Sequence, residues 1–519
     1  MLFSSFEFVF VFLPVTLAGF AVLAMWQRQR GLLFWLVGAS LVFYAFWSPA
    51  HLLILLPSTA ANFLAGRFIG DADRTHRQRR LLLWLTIAAN LIVIGYFKYA
   101  TFLVENINAV AGSAFHVEAH ELPLAISFFT FTQIAYLVEI FRSGSSERDP
   151  LRYAFFTQFF THLIAGPIVL YREIVPQLTK GYPGRLFGED FAAGLFVFAV
   201  GLFKKTMLAD TLASEVDAVF RIVDAGVEPT FLEAWLGALG YTFQLYFDFS
   251  AYSDMAIGLS LMFGLRLPVN FMSPYKSTSI IDFWRHWHIT LSRFLRDFLY
   301  IPLGGNRQGQ TRRYANLLLT MLIGGLWHGS GWNFVLWGGM HGVFLCINRL
   351  WRHVIGEGPS RTRLGAVAGW TATFVAVVYA WVMFRAENLD SVWRIWHAMS
   401  LLSGISVPGS LEATLGAAAS RVPGLLHFDG ALHNGMFTFP FRTMALVAAS
   451  FVICLALPNP YQLLRARPPI LDPERIEGRL PWYVPTWRCN TAWGIAAGLL
   501  FGIAVPGMSG VKTFIYFQF

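Results

Sequence analysis

The chain has 519 residues, 56% of them hydrophobic and 13% charged, with 50 Phe and 18 Trp, and a mean hydropathy of +0.53. A water-soluble domain carries about a quarter charged residues, so a chain this poor in charge cannot clothe an ordinary aqueous surface, and a soluble globular fold is excluded. The net charge of +9 would suggest nucleic acid in a soluble protein. Here the basic residues fall in short runs between apolar stretches, which is the pattern of membrane topology, so lipid and not nucleic acid is the expected surroundings.

A helical crossing takes about 20 apolar residues. In chain order the sequence offers Phe8–Met25, Leu32–Trp47, Leu52–Ile69, Leu81–Phe97, Leu122–Ile140 and Ala192–Met207. Phe231–Phe247, Ala315–Trp327, Phe334–Ile347, Ala366–Met383, Met444–Leu457 and Trp493–Val505 follow. No basic leader or small-residue cleavage pattern accompanies the first stretch, which reads as a retained membrane helix. Several stretches between Tyr241 and Gly342 are short or broken by Gly and polar residues. Irregular backbone at membrane depth is tolerated only inside protein or along a cavity, so this middle region is the expected functional core.

Charge sets the orientation. Arg28 and Arg30 follow the first stretch, and Arg67, Arg74, Arg77, Arg79 and Arg80 follow the third. The positive-inside rule puts both groups in the cytoplasm and the N-terminus outside. The basic stretch Trp284–Tyr314 is cytoplasmic by the same rule, as is Pro458–Asn490, whereas the Gly-rich segment Ser406–Phe439 suits an external loop. Cys346, Cys454 and Cys489 have no spacing that signals a disulfide framework or a zinc site.

Three histidines sit among apolar and Gly residues: His328 in IGGLWHGSGW (323–332), His288 in DFWRHWHITLS (282–292) and His341 in WGGMHG (337–342). An ionisable group inside a membrane protein is costly and functional by default, and a buried neutral imidazole can take a proton from a hydroxyl. The competing reading is a core histidine hydrogen-bonded to a neighbouring helix. Arg313 precedes His328 by fifteen residues, roughly 20 Å of helix, which carries His328 deep into the membrane. His286 and His288 form an H-x-H pair, but no metal motif accompanies it, and no metal is expected. Asp248 and Asp254 lie in an apolar stretch and must be paired. They either lock helices through Arg285 or Arg296, or orient a catalytic histidine. The basic loop either anchors the cytoplasmic side or, through Arg285, Arg293, Arg296, Asn306 and Arg307, holds a polyphosphate such as that of coenzyme A. Both can hold at once.

The segments YFDFSAYSDMAIG (246–258), FWRHWHITLS (283–292), LRDFLYIPLGGNR (295–307) and GGLWHG (324–329) resemble the bacterial branch of the membrane-bound O-acyltransferases, which acetylates exported polysaccharides such as alginate. The opening MLFSS, LPLAISFFTF (122–131), AGPI (165–168) and the closing FIYFQF (514–519) fit as well, so the resemblance spans the chain. It implies an all-α polytopic membrane fold with a transmembrane tunnel, roughly 11–14 membrane helices and additional re-entrant or interfacial helices. The whole of 1–519 would be one domain, with N-terminal helices over 1–120, a catalytic core over 121–350 and C-terminal helices over 351–519.

By that resemblance His328 is the catalytic histidine and His288 the second catalytic position, with Asp248, Asp254, Trp327 and His341 in support. Acetyl-CoA would be the donor substrate, with no permanently bound cofactor. The partners implied are a periplasmic SGNH-type acetyltransferase and a polysaccharide biosynthesis and export complex, and the location is the bacterial inner membrane. One departure is His286, where alginate-type relatives usually carry Arg. D-alanyl or other acyl transfer to peptidoglycan or teichoic acid, and a transport or non-catalytic scaffold role, stand as alternatives. A transporter would show paired halves of an internal repeat, and none is found.

Overall fold

A computed structural model describes residues 1–26, 28–118, 121–179, 188–356, 362–402, 404–407, 410, 412, 414, 416, 426–428, 436–476, 478, 480, 482, 484–510 and 514–515. Most of the external loop expected at Ser406–Phe439 therefore lies outside the described residues, as do 516–519. The fold is helical apart from a two-residue parallel pairing of Ile405–Ser406 with Leu426–His427. The chain is a polytopic membrane protein. Among the described residues, six helices are long and apolar enough to cross a bilayer: α1 (Phe8–Met25), α3 (Pro49–Ile69), α4 (His76–Ala111), α9 (Glu189–Asp224), α15 (Arg363–Arg385) and α18 (Thr491–Gly510). Two shorter apolar helices are α2 (Gln29–Ala45) and α17 (Pro440–Ala456).

The contacts between loops group them on two faces, divided as the charge pattern divides them. On the side assigned to the cytoplasm, Arg79 donates to the carbonyls of Ile69 at 2.6 Å and Phe141 at 3.1 Å, and Arg30 lies 3.9 Å from Asp149. On the other side, Tyr44 donates to the carbonyl of Leu124 at 2.8 Å, and His51 stands 4.0 Å from Glu121.

Between these faces the chain repeatedly breaks its helices. Helix α5 (Ile126–Ser143) begins four residues later than the apolar run suggests, because Ala125 adopts a left-handed conformation, φ 63°. Then α6 (Pro150–Gln158), α7 (Phe160–Leu163) and α8 (Tyr171–Thr179) form a buried re-entrant passage. Its exposed backbone groups find side chains on other elements, as hydrocarbon requires. Ser40 accepts from the Phe160 amide at 3.0 Å, and Thr290 accepts from that of Ile168 at 3.0 Å.

Helix α10 (Phe231–Met262), 32 residues without a break, is buried on nearly every face. It runs fifteen residues beyond the apolar stretch that announced it and carries Asp248 and Asp254 through the core. It packs on α9 at a glycine contact: a Cβ on Gly194 would meet the carbonyl oxygen of Gly258 at 2.6 Å, and one on Gly258 would meet that of Gly194 at 2.6 Å. The ion pairs expected for the two aspartates are corrected here. Their partners are Lys204, 2.7 Å from Asp254, and Lys205, 2.7 Å from both Asp248 and Asp210, not Arg285 or Arg296. The two lysines open a π-helical turn, Lys204–Ala209, within α9, the helix that lies directly against α10, whereas Arg285 and Arg296 are exposed. Tyr461 and the amide of Ile515 donate to the remaining oxygens of Asp254 and Asp248 at 2.5 and 2.9 Å.

Truncating one partner of such a buried pair strands the other. Lys205→Met is expected to destabilise the protein by about 3–5 kcal/mol, read as a lower thermal midpoint in detergent, whereas Arg394→Ala, at an exposed pair with Asp390, leaves the midpoint nearly unchanged. Equal shifts would show that α9 and α10 do not depend on the buried charges.

Candidate active site

Three chain breaks meet at the histidines. The first lies between α11 (Ile280–His286) and α12 (Ile289–Leu295), where His288 is fully buried and adopts φ 41°, ψ 54°. That left-handed conformation is uncommon for a residue with a Cβ and persists only where the surroundings hold it. Asn270 is what holds it. Its side-chain oxygen lies 3.0 Å from His288 Nδ1 and accepts from the Thr290 hydroxyl at 3.0 Å, while its backbone carbonyl accepts from the Ile289 amide at 3.0 Å. An amide oxygen only accepts, so His288 donates from Nδ1 and its lone pair sits on Nε2.

The second break ends α13 (Gly309–His328), whose last helical residue is His328 before Gly329 turns extended. The fifteen residues from Arg313 to His328 therefore form one continuous helix, as the spacing implied. Helix α14 (Trp332–Val354) returns beside it, and the two approach where side chains are absent. A Cβ on Gly325 would lie 2.2 Å from the carbonyl oxygen of Phe334, and one on Gly338 would lie 2.2 Å from that of Met321. The His328 ring is 4% exposed and is boxed edge-on by Trp337 at 5.0 Å and Phe384 at 5.4 Å. The His288 ring centroid lies 6.4 Å away. Trp327 stacks on Phe131 at 5.3 Å and forms part of the same wall.

His341 is fully buried on α14. It is linked to His328 through Trp337, whose ring lies 4.9 Å from it. Trp284 donates to His341 Nδ1 at 3.3 Å, which leaves the proton on Nε2, the opposite tautomer to His288.

The third break is the loop before α5. Glu121–Phe128 lines, with Trp47, Lys98, Ile164, Trp327 and His328, a cavity of about 250 Å³. Trp47 and Glu121 lie on the face opposite the basic loops, so the cavity reaches His328 from the outer side.

The remaining expected site residues separate into two groups. Arg296, Asn306 and Arg307 are exposed on the basic rim at the other end of α13, where Asn306 accepts from the Tyr300 hydroxyl at 2.5 Å and Arg296 pairs with Asp297, and Arg285 is exposed on α11, three residues before His288. Arg293 differs. Its guanidinium is held by Glu173 and donates to the carbonyl of Ile168 at 3.2 Å, so it fastens the re-entrant passage. His286 bonds Asp282 O at 2.9 Å on the half-exposed side of α11, away from the partner of His288. Among the described residues no group of three or more His, Cys, Asp or Glu could hold a metal ion. Asp248 and Asp254 are occupied by lysines, and the group that orients His288 is an amide, Asn270. Sequence reasoning missed Asn270, which sits in an irregular stretch with no periodicity. It also missed Lys98, where a lone lysine just past an apolar run was signal enough.

The match to the membrane-bound O-acyltransferase family model covers residues 79–393, more than half of the chain and all of the site except Trp47. The chain is 38% identical over 547 residues to a protein named peptidoglycan O-acetyltransferase from Helicobacter pylori, covering 100% of this chain and 98% of the relative. It is 40% identical over 544 residues to the probable alginate O-acetylase AlgI of Pseudomonas aeruginosa, covering 100% of each. To the Azotobacter vinelandii protein of the same name it is 46% identical over 408 residues, covering 77% of this chain and 78% of the relative.

The left-handed backbone at His288 gives a test that needs no activity. Asn tolerates that conformation and a β-branched residue does not, so His288→Asn should give folded protein while His288→Val loses about 1–3 kcal/mol more, read as yield of monodisperse protein and thermal midpoint. Equal stability of the two variants would show that the backbone relaxes and that Asn270 is not the constraint.

Proposed function

The chain belongs to the membrane-bound O-acyltransferase family and is an O-acyltransferase, and from that premise we propose that it moves an acetyl group from cytoplasmic acetyl-CoA to an extracytoplasmic acceptor. The acetyl group serves the O-acetylation of a polymer. The names of the relatives support an exopolysaccharide such as alginate first, and the full-length similarity to the Helicobacter protein supports peptidoglycan as the second reading. In this reading the protein resides in the inner membrane, and the direct acceptor is a periplasmic partner of the SGNH type within a polysaccharide biosynthesis and export complex.

The observation that carries the reading is the placement of α13. One end stands at an exposed basic rim and the other delivers His328 to the outer cavity, a separation of about 22 Å from Arg313. In a hydrocarbon core about 30 Å thick, that helix joins a site for a polyanionic donor to a site for an outer acceptor. At the rim, Arg296, Asn306 and Arg307, with Arg285 on α11, would hold the phosphates of coenzyme A, since guanidinium matches phosphate oxygens, and the acyl arm would extend along α13.

The chemistry follows from a buried neutral imidazole beside a thioester. His328 takes the proton of the acceptor hydroxyl as its oxygen attacks the thioester carbonyl carbon. The new C–O bond forms, the C–S bond breaks, and the leaving thiolate takes up the proton to depart as coenzyme A thiol. His288, with its lone pair on Nε2, would share the proton with His328. Closing water out of such a site protects the thioester from hydrolysis.

The test follows labelled acetyl-CoA in purified protein. Wild type should release thiol and transfer acetyl to an outer acceptor, and folded His328→Ala should lose both by about 10²–10⁴-fold. Equal thiol release by the two would sink the catalytic assignment and bring the non-catalytic scaffold reading forward.

A further inference from the structure

Lys98 is 8% exposed inside the membrane-crossing helix α4, and among the described residues no carboxylate pairs with it. A buried cation without a counter-charge is costly, so the structure must use it. Its ammonium donates to the carbonyl of Trp327 at 2.6 Å and to that of His328 at 3.1 Å. The next residue, Tyr99, donates through its hydroxyl to the carbonyl of Leu326 at 2.8 Å. Three successive carbonyls at the end of α13, which the helix itself leaves without donors, are thus met by two adjacent side chains of a distant helix.

Adjacent residues on a regular helix point about 100° apart and would not both reach one helix end. Lys98 and Tyr99 close a π-helical turn, Gly95–Tyr99, and such turns re-aim side chains and concentrate at functional sites. The position also suits the charge, because a cation beside a helix C-terminus meets the negative end of its dipole. Only the last residue before the helix breaks carries the imidazole, so the clamp acts on the backbone from which His328 projects. Two of the three N–H donors of the ammonium go to carbonyls, and Lys98 lines the same 250 Å³ cavity as His328.

We propose that Lys98, assisted by Tyr99, is a positioning residue that clamps the carbonyl end of α13 and so fixes the imidazole of His328 at the outer cavity. This rests on the acyl-transfer reading of His328. A residue that acts through His328 should affect turnover more than donor binding, and its loss should cost nothing further once His328 is gone.

The experiment uses the full chain in detergent or nanodiscs with acetyl-CoA as the probe, comparing wild type, His328→Ala, Lys98→Met, Lys98→Arg and the double variant Lys98→Met with His328→Ala. Lys98→Met should lower kcat on the order of 10²-fold, the cost of a displacement of about 1 Å, with KM for acetyl-CoA essentially unchanged. Lys98→Arg, which keeps the cation and its donors, should recover part of the loss, and the double variant should match His328→Ala. Wild-type kcat in folded Lys98→Met, a proportional rise in KM, or additive losses in the double variant each overturn the proposal. Should Lys98→Met fail to fold, Tyr99→Phe and Lys98→Arg decide it: lowered kcat at constant KM supports the clamp, and wild-type kcat in both removes it. An active wild type with an inactive His328→Ala isolates a failure of this inference, whereas a silent wild type removes the acyl-transfer reading and this inference with it.

Discussion

A hydrocarbon interior offers the backbone no hydrogen-bonding partner, so every break in a helix at membrane depth must be completed by another part of the chain. The rest of this structure depends on that constraint. The re-entrant passage over 150–170 exists because Ser40, Thr290 and Glu173 accept from the amides of Phe160, Ile168 and Leu170. The turn at His288 exists because Asn270 serves four donors at once through its amide oxygen and its carbonyl. The end of α13 exists because Lys98 and Tyr99 meet its last carbonyls. The histidines stand at these breaks because a break is where a side chain can leave the wall of a helix and face a cavity.

The buried charges follow a related logic. Lys204, Lys205, Asp248, Asp254 and Asp210 pair with one another between α9 and α10, and such clusters are poor evidence of net stability because desolvation offsets the attraction. Their geometric consequence is firmer. An ammonium within 2.7 Å of a carboxylate fixes the axial register of two helices, and the glycine contact at Gly194 and Gly258 allows a backbone approach close enough for short side chains to meet. Register on α10 matters to the site, since Ser253 on that helix accepts from the side chain of Asn270.

Composition and span length made the membrane fold legible in the sequence, and the alternation of arginine-rich loops made legible which loops share a face. The breaks at His288 and after His328 were readable from polar and Gly residues in runs too short to cross, whereas the re-entrant passage over 150–170 was not. His328 was readable because one helix of known rise had to link it to Arg313. The partners were not. Hydropathy identifies which residues are buried but not what faces them, so Asp248 and Asp254 were assigned to the arginines nearest in the motif and not to Lys204 and Lys205, some forty residues upstream. The π-helical turns that aim Lys98 and Lys204 leave no periodic signature, because a single extra residue per turn lies within the scatter of an apolar run. Asn270 sits in coil, where no pattern constrains it.

The hydrogen bonds also divide the histidines chemically. The Asn270 side-chain oxygen can only accept at His288 Nδ1, so His288 presents a lone pair at Nε2, whereas the indole of Trp284 can only donate at His341 Nδ1, so His341 carries its proton on Nε2. Neither state depends on an ionised neighbour, which suits a site where charge is costly. A residue fixed as an acceptor can help withdraw a proton from the region around His328, and one fixed as a donor cannot. On the proposed acyl-transfer reading, His288, with its ring 6.4 Å from His328 and its backbone in a conformation that only its surroundings maintain, would be the histidine to share the reacting proton. His341, which packs on Trp337 and Trp381, belongs to the aromatic wall that stands against His328.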